Sequence, residues 1–479
     1  MGGGRLSWAV RALGVLIAVE VVASGAVLVV RSSSSRSAAL VRALPAPNTT
    51  TSVAPDPTTF PPPPPASPPA TPVPTPPSTQ PAPSGAAARL TARLEAALGG
   101  VPSCLVVDDG ATPVYVRGLT LPLAPASTQK LLVASAALDR LGPDYRFETT
   151  VVAPAPPAAD GSVDALWLVG AGDPLLSTPE YAAHLASDPR TVGTPATPMS
   201  ALVDQLAAAG VHTVRNGIHG DNSRYDGPGW LPGWKPIYRD EADVGVLSAL
   251  TVNGGLDHWE PTEVISPDPT SLAGAQLARL LAGRGISAAG AASSTRPGSG
   301  VVLARVTSAP LSDIVAAMLR SSDNLAAELL VREIDKQAGG TGTTDGGLAR
   351  VADAVASLGI PTIGLRMSDG SGLDPADRAT CPALLAALDM GDRPGFTALA
   401  TGLAVAARTG TLATRFGGTP LAGHLSAKTG WINCAAAMVG RLDLTAPLHF
   451  ALIVNGPCDW NSAEAYENRV AMALATYPT

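Results

Sequence analysis

The chain has 479 residues, which is too long for one compact core and predicts two or more domains. Hydrophobic residues make up 46% of it but aromatic residues only 4%, so its cores must be built mainly from Ala, Val, Leu and Ile. The net charge of −7 gives no basic field for neutralising phosphates and argues against a nucleic-acid partner.

The N-terminal segment is apolar. Residues 12–30 contain one charged side chain, Glu20, and arginines lie on both sides of them. Nineteen such residues are just long enough to cross a bilayer. We predict that residues 1–31 are a cytoplasmic tip and a signal anchor. The alternatives are a cleaved signal peptide and a buried helix.

The next segment is rich in proline. Seventeen of the forty residues 45–84 are proline, a composition that cannot form a core and favours an extended chain. We predict that residues 32–85 are a disordered extracytoplasmic linker, with a reach of about 120 Å at about 3 Å per residue. The rest of the chain is then expected on the outer side of the cell membrane, or secreted if the N-terminal segment is cleaved. A featureless tether that carries sugars is the alternative.

The globular part is predicted to begin near residue 86. Helical patterns occur at 89–98 and at 127–141. Strand patterns occur at 103–107, 114–116, 424–429, 434–441 and 448–455. Two strands near the start, three near the end and helices between them predict an α+β fold, in which one antiparallel sheet is flanked by helices.

A long stretch follows the helix at 127–141. Residues 149–267 are rich in Gly, Pro and Asp, carry half of the Trp and Tyr, and show strand patterns near 165–169 and 211–218. We predict that they form an inserted accessory domain. Residues 86–148 and 268–479 are then the catalytic domain.

The cysteines make no C-x-x-C pair, and no histidine lies at a ligand spacing from any of them. No zinc site, and no metal or other cofactor, is therefore expected. Outside the membrane they can form disulfides. The last two strands form an expected hairpin centred near Thr445, which brings Cys434 close to Cys458. Cys104 with Cys381 follows by elimination.

Ser127-Thr128-Gln129-Lys130 is the first motif with a possible chemical role. Ser127 and Lys130 are three residues apart on the predicted helix, which places both side chains on one face. An amine beside a hydroxyl at the positive end of a helix favours a nucleophilic serine. Burial and a neighbouring Lys428 could lower the pKa of Lys130 and make it a base near neutral pH. A capping serine with a solvated lysine is the alternative, since a lone Ser-x-x-Lys is a weak signal.

Ser322-Asp323-Asn324 is predicted to lie in a loop between two helices. Such a loop can aim the Ser322 hydroxyl, as a proton relay, and the Asn324 amide, as a grip for a substrate amide, at one point. Asp323 is interpreted as structural, and a helix cap is the alternative for the whole motif.

Lys428-Thr429-Gly430 is predicted to lie on a strand. Lys428 supplies charge for a substrate carboxylate, and the missing side chain of Gly430 allows a substrate backbone to approach closely. Taken alone, the motif is equally well an ordinary strand end. The three motifs in this order, each in a suitable element, together predict a serine acyl-transfer site. No G-x-S-x-G, H-E-x-x-H or Walker sequence competes with them.

The ordered motifs resemble the signature of the penicillin-recognising serine enzymes. Four further stretches, 170–174, 247–253, 369–373 and 410–412, resemble the class C low-molecular-mass penicillin-binding proteins, which are D-alanyl-D-alanine carboxypeptidases and endopeptidases. The resemblance covers residues 86–479 and implies a β-lactamase/transpeptidase-like fold with an accessory insert. It also implies peptidoglycan peptides and β-lactams as partners. The Ala- and Arg-rich composition with a proline-rich tether is typical of actinobacterial proteins.

The resemblance implies a catalytic role for four motif residues. Ser127 attacks the carbonyl between two D-alanines and is acylated, with Lys130 as the base. Ser322 and Lys428 pass the proton to the leaving amine, and water then releases the peptide.

The resemblance also implies how substrate is held, and the chain departs from the family here. Asn324 would hold the substrate amide and Thr429 the terminal carboxylate, while the backbone N–H groups of Ser127 and Trp431 would form the oxyanion hole. After Gly430 the family usually has Thr or Ser, but this chain has Trp431. Because that hydroxyl is missing, we expect weaker carboxylate binding, with either a bias toward endopeptidase cleavage or weak activity.

Other functions stay open. A class A β-lactamase uses a Glu in an E-x-x-N sequence, which this chain lacks. An esterase of the same fold explains neither the insert nor the stretch 369–373. A non-catalytic cell-wall-binding scaffold is supported only by Trp431.

Overall fold

The computed structural model describes residues 85–110, 112–296 and 298–479. The predicted anchor at 1–31 and the predicted linker, up to residue 84, lie outside these ranges. Within the described ranges, no helix is both long and apolar enough to cross a membrane.

The described residues contain twelve α-helices, α1 to α12 in chain order. They span Gly85–Leu98, Lys130–Leu141, Pro179–Ser187, Ser200–Ala208, Ile237–Asp240, Pro269–Ala282, Leu311–Ser321, Asn324–Gln337, Thr344–Ser357, Cys381–Asp389, Ala398–Thr401 and Trp460–Leu474. Short 3₁₀ helices span Ala126–Gln129, Asn253–Gly255, Met390–Asp392 and Gly410–Leu412.

The same described ranges contain eighteen strands, β1 to β18. They span Ser103–Asp108, Pro113–Arg117, Glu148–Ala153, Ser162–Val163, Leu166–Val169, Leu176–Ser177, Thr197–Pro198, Thr213–Val214, Ile218–Asp221, Leu256–His258, Val264–Ile265, Ser287–Ala288, Ala291–Ser293, Val301–Thr307, Ala404–Val405, Leu425–Ile432, Ala435–Leu442 and Leu448–Asn455.

The main sheet has six strands in the order β15-β16-β17-β18-β1-β2, and every neighbouring pair is antiparallel. The N-terminal hairpin joins the C-terminal strands because β1 pairs with β18, which places Ser103 opposite Val454. The five strands that the sequence predicted for the catalytic part are all present. The predicted antiparallel sheet of an α+β fold is therefore confirmed.

Helices cover both faces of the main sheet. Successive side chains of a strand point to opposite faces, and β1 illustrates the result. Leu105 and Val107 are buried with apolar side chains of α1 and α12. Cys104 and Val106 are buried in a larger core that includes α2, α8, α9 and α10. The second face therefore carries α2, which begins at the first motif.

The insert contains a sheet of its own, with five strands in the order β13-β9-β5-β3-β14. Helices α4 and α6 contribute buried side chains to its core. The predicted end of the insert at residue 267 is too early, because α6 and β14, which pairs with β3, belong to this sheet. The strand predicted at 211–218 is divided into β8 and β9, because Gly217 between them has a φ of 84°. The division into separate domains stays a prediction.

Part of the insert packs against the segment that carries the first motif. Tyr225, Trp234 and Tyr238 share a buried cluster with Ala124 and Ala126. This stretch of the predicted accessory domain therefore supports the first motif directly.

Two disulfides are present, and both agree with the predicted pairing. Cys104 on β1 is bonded to Cys381 at the start of α10. Cys434, in the turn between β16 and β17, is bonded to Cys458, just before α12. The predicted hairpin explains the second bond, since Ala435 lies opposite Asn455 in the β17–β18 register.

Candidate active site

Ser127 lies on the 3₁₀ helix Ala126–Gln129, which leads directly into α2. The side chains that follow on α2, beginning with Leu131 and Leu132, are fully buried and hold the helix in the core. Ser127 itself is 8% exposed and lines a groove of about 1110 Å³. The predicted helix is therefore present, with a 3₁₀ first turn that presents Ser127 to this groove.

Lys130 is fully buried beside Ser127. Its Nζ donates to Ser127 Oγ at 2.9 Å, to Asn324 Oδ1 at 2.6 Å and to the backbone oxygen of Ser371 at 2.5 Å. Burial lowers the pKa of Lys130 to about 8, against the opposing effect of nearby carboxylates, Asp369 first among them. A lysine with this pKa can accept the Ser127 proton near neutral pH.

The turn that supplies the Ser371 oxygen was not assigned a role from the sequence. This turn lies against the nucleophile segment, which is the 3₁₀ helix Ala126–Gln129 that carries Ser127. A Cβ on Gly372 would come within 2.0 Å of the Ala126 oxygen. Glu328, fully buried on α8, accepts the backbone N–H groups of Gly370 at 2.9 Å and of Ser371 at 2.7 Å. Burial and the neighbouring Asp369 raise the pKa of Glu328 above its ordinary value. The sequence signal for Glu328 is its spacing of one helical turn from Asn324, which places the two side chains on the same face of α8.

Ser322 and Lys428 form a second serine–lysine pair. Lys428 Nζ donates to Ser322 Oγ at 2.8 Å and to the backbone oxygen of Thr429 at 2.6 Å. Ser322 ends α7 with a left-handed φ of 66°, and Asp323 caps α8 through the N–H of Ala326. Burial and the charge of Lys130 lower the pKa of Lys428 well below its ordinary value.

Asn324 uses both ends of its side-chain amide in contacts within the protein. Its oxygen accepts from Lys130, and its nitrogen donates to the backbone oxygen of Asp243 at 2.7 Å. The Asp243 contact was not foreseen, since it joins residues 81 positions apart in the chain. The Asn324 nitrogen carries two N–H groups, and the second can donate to a substrate amide oxygen while the first stays on Asp243.

Thr429 and Gly430 bring β16 to the edge of the nucleophile segment. A Cβ on Gly430 would lie 2.9 Å from the Ser127 nitrogen and 3.0 Å from the Pro125 oxygen. The missing side chain of Gly430 therefore lets the backbone of the nucleophile segment pack closely against β16, whereas the motif predicted a substrate backbone in this place. Thr429 Oγ1 lies 2.7 Å from the hydroxyl of Thr411, a residue that was assigned no role from its motif.

Trp431 lines the groove and packs edge-on against Trp460, with ring centroids 5.3 Å apart. Its indole nitrogen is buried without a hydrogen-bond partner in the described part of the chain. The side chain therefore contributes an apolar wall, while its backbone N–H remains on the strand beside Ser127.

The structure brings the predicted residues into two clusters on one groove. The first joins Ser127, Lys130 and Asn324. The second joins Ser322, Lys428 and Thr429. Ser127, Ser322, Asn324, Thr429, Gly430 and Trp431 all line the groove.

A cluster of possible metal ligands lies outside the set of residues that line the groove. Among the described residues, Asp389, Asp392 and His449 gather three potential ligand atoms. These atoms already have partners, because His449 contacts Asp389 and Asp392 accepts from Arg441, both at 2.7 Å. The geometry of the groove instead suits an activated serine, with a base on one side and a hydrogen-bonded hydroxyl–amine pair on the other.

The chain matches a known protein family over most of its length. A model described as the D-Ala-D-Ala carboxypeptidase 3 (S13) family matches residues 90–263 and 248–477. The chain belongs to this family. The S13 match spans all three motifs and confirms the resemblance to the D-alanyl-D-alanine carboxypeptidases.

Two curated relatives and one solved structure illustrate the S13 relationship. The chain is 29% identical over 466 residues to D-alanyl-D-alanine carboxypeptidase of Actinomadura sp. (strain R39), covering 80% of this chain and 82% of that protein. It is 32% identical over 382 residues to carboxypeptidase DacB of Mycolicibacterium smegmatis, covering 77% and 79%. Penicillin binding protein 4 (dacB) from Haemophilus influenzae matches with a TM-score of 0.66 and 19% identity, covering 80% and 98%. This last likeness confirms the predicted fold.

Proposed function

We propose that the chain is a serine D-alanyl-D-alanine carboxypeptidase and endopeptidase, which cleaves peptidoglycan stem peptides through an acyl-enzyme on Ser127. The observation that carries the proposal is the contact of Lys130 Nζ with Ser127 Oγ at 2.9 Å, at the wall of a large groove. Membership of the S13 family supports the substrate class.

The first half of the reaction forms the acyl-enzyme. Neutral Lys130 takes the hydroxyl proton of Ser127, and the oxygen attacks the carbonyl carbon between the two D-alanines. The N–H groups of Ser127 and Trp431 receive the charge that develops on the carbonyl oxygen. Asn324 holds the amide of the peptide through the second N–H of its side-chain nitrogen, while the first donates to the Asp243 oxygen.

The second half releases the products. As the C–N bond breaks, the leaving amine takes a proton from the Ser322 hydroxyl, which Lys428 restores at 2.8 Å. The proton that Lys130 took from Ser127 replaces the one given up by the Ser322–Lys428 pair, so Lys130 is neutral again. Water then attacks the ester carbonyl, and Lys130 accepts a proton from the water and returns it to the Ser127 oxygen as the C–O bond breaks. Two of the proton transfers within the protein use pairs that are already hydrogen-bonded, Lys130 with Ser127 and Lys428 with Ser322.

Release of D-alanine tests this proposal. The full chain is incubated with an acylated tripeptide that ends in D-Ala-D-Ala, and with a cross-linked muropeptide. We expect wild type to cleave both, and Ser127→Ala to cleave neither. Ser135→Ala is the matched control, because Ser135 is a buried serine on α2 whose hydroxyl donates to the Leu131 oxygen. A Ser127→Ala variant as active as this control would refute the proposal.

We also propose that the enzyme works outside the cell on a membrane anchor formed by residues 1–31. The apolar stretch 12–30 and the proline-rich tract behind it support this location. Mass spectrometry of the mature protein provides the test. An intact N-terminus in the membrane fraction supports the anchor, and a mature N-terminus near Gly25 would show a cleaved signal peptide instead.

A further inference from the structure

Two threonine hydroxyls meet in the groove beside the nucleophile. Thr411 Oγ1 and Thr429 Oγ1 are 2.7 Å apart. Thr411 comes from the 3₁₀ helix Gly410–Leu412 and Thr429 from β16, and both side chains are half-buried and line the groove with Ser127. Residues 18 positions apart thus place two hydroxyls at one point on the wall.

The position of Thr411 is fixed by the end of α7. Gly410 has a φ of 64°, and a Cβ there would lie 2.4 Å from the Arg320 oxygen, two residues before Ser322. The 3₁₀ turn is therefore pressed against the segment that carries the second motif. The position of Thr411 is therefore fixed relative to both Ser322 and β16. A residue that contacts substrate needs such a fixed position.

The threonine pair keeps an unused donor. Each hydroxyl carries one proton, and the bond between Thr411 and Thr429 consumes only one of the two. The other proton is free to point into the groove. Hydroxyl donors suit a carboxylate, which accepts hydrogen bonds only.

The neighbouring groups are less suited to this contact. Trp431, which follows Gly430, has no hydroxyl, and its indole nitrogen is buried behind the ring that packs on Trp460. Arg415 lines the same groove, but its charge is compensated by ion pairs with Glu464 at 3.3 Å and Glu467 at 2.7 Å. Lys428 donates to Ser322 and to the Thr429 oxygen.

We propose that Thr411 is a specificity-determining residue, which together with Thr429 donates to the C-terminal carboxylate of the peptide substrate and supplies the hydroxyl that Trp431 lacks. The inference rests on the proposed function. It moves carboxylate recognition from the residue after Gly430 to a separate turn, and so replaces the sequence-based expectation that carboxylate binding is weak.

A pair of peptides tests the proposal. Both end in D-Ala-D-Ala, but one carries a free carboxylate and the other a C-terminal amide. Thr411→Val removes the hydroxyl with little change of shape, and Thr411→Ser keeps it. Thr414→Val is the matched control, since Thr414 is an exposed threonine that also lines the groove. The kcat and KM of wild type and of each variant are measured on both peptides.

We expect Thr411→Val to lower kcat/KM for the free acid by about ten- to hundredfold, the effect of losing a hydrogen bond to a charged group. The amide peptide should change by no more than about twofold, as should Thr411→Ser and Thr414→Val on either peptide. Equal losses on the two peptides, or a wild type that does not distinguish acid from amide, would overturn the role of Thr411 alone. A wild type that cleaves neither peptide would overturn the proposed function and this inference with it.

Discussion

Two serine–lysine pairs face the same groove, and their surroundings differ. Lys130 Nζ lies 2.9 Å from Ser127 Oγ, and Lys428 Nζ lies 2.8 Å from Ser322 Oγ. Both lysines are fully buried. The two pairs therefore share the same hydrogen-bond geometry, and they differ in the groups that surround each lysine.

The charges behind each lysine separate the two pairs. Lys130 is flanked by the carboxylates of Asp369, Glu328, Asp323 and Asp377, which oppose the effect of burial and leave its pKa at about 8. Lys428 has burial and the charge of Lys130 acting on it in the same direction, with Glu467 as the one opposing carboxylate. The first pair is thus suited to exchanging a proton near neutral pH, and the second to relaying one.

The largest difference between the pairs should appear when each amine is removed. Lys130→Met takes away the base, so the rate of acylation by a β-lactam should fall by about 10² to 10⁴-fold. Stopped-flow measurement of acylation gives the rate, and thermal melting shows that the variant is folded. An acylation rate within tenfold of wild type would contradict the role of Lys130.

Lys428→Met should have a smaller effect on the same reaction. It removes a hydrogen-bonded relay and leaves the Ser127–Lys130 pair intact, so we expect a loss of about ten- to hundredfold in acylation. If Lys428→Met instead proved more damaging than Lys130→Met, the assignment of the two pairs would be reversed.

The pH dependence sharpens the comparison further. Because neutral Lys130 is the base, the acylation rate should rise with pH and level off above about 8. Glu328→Gln keeps an acceptor for the N–H groups of Gly370 and Ser371 but removes the negative charge of ionised Glu328, which favours charged Lys130. The midpoint should therefore move to lower pH. A shift to higher pH, or a rate that falls as pH rises through 8, would contradict this account.

The smallest effect is expected from removing the Cys434–Cys458 disulfide, which lies just after β16, the strand that carries Lys428. Cys434–Cys458 holds the β16–β17 turn to the start of α12, which carries Trp460. In a Cys434→Ser/Cys458→Ser variant the free-acid peptide should lose about two- to threefold in kcat/KM, because the apolar wall beside Thr429 loosens. The pH midpoint, which belongs to Lys130, should stay in place. A shift in the pH midpoint of acylation would show that the surroundings of Lys130 depend on this disulfide.

The three motifs and their elements could be predicted because each is local. Ser127 and Lys130 are one helical turn apart, and the last three strands follow one another in the chain. Contacts between distant segments could not be predicted, since Lys130 meets the Ser371 oxygen across 241 positions and Asn324 meets Asp243 across 81. Backbone oxygens supply both contacts, and no residue type marks them. Thr411 lay in a stretch that resembled the family, but its partner, Thr429, became visible only when the turn met β16.

Covalent labelling tests the central claim most directly. The full chain is incubated with a penicillin, digested with protease, and analysed by mass spectrometry. The account predicts one stable adduct, on the peptide that contains Ser127, and none in Ser127→Ala. An adduct on Ser322, or a wild type that stays unlabelled, would contradict it, and rapid loss of the label would indicate a β-lactamase.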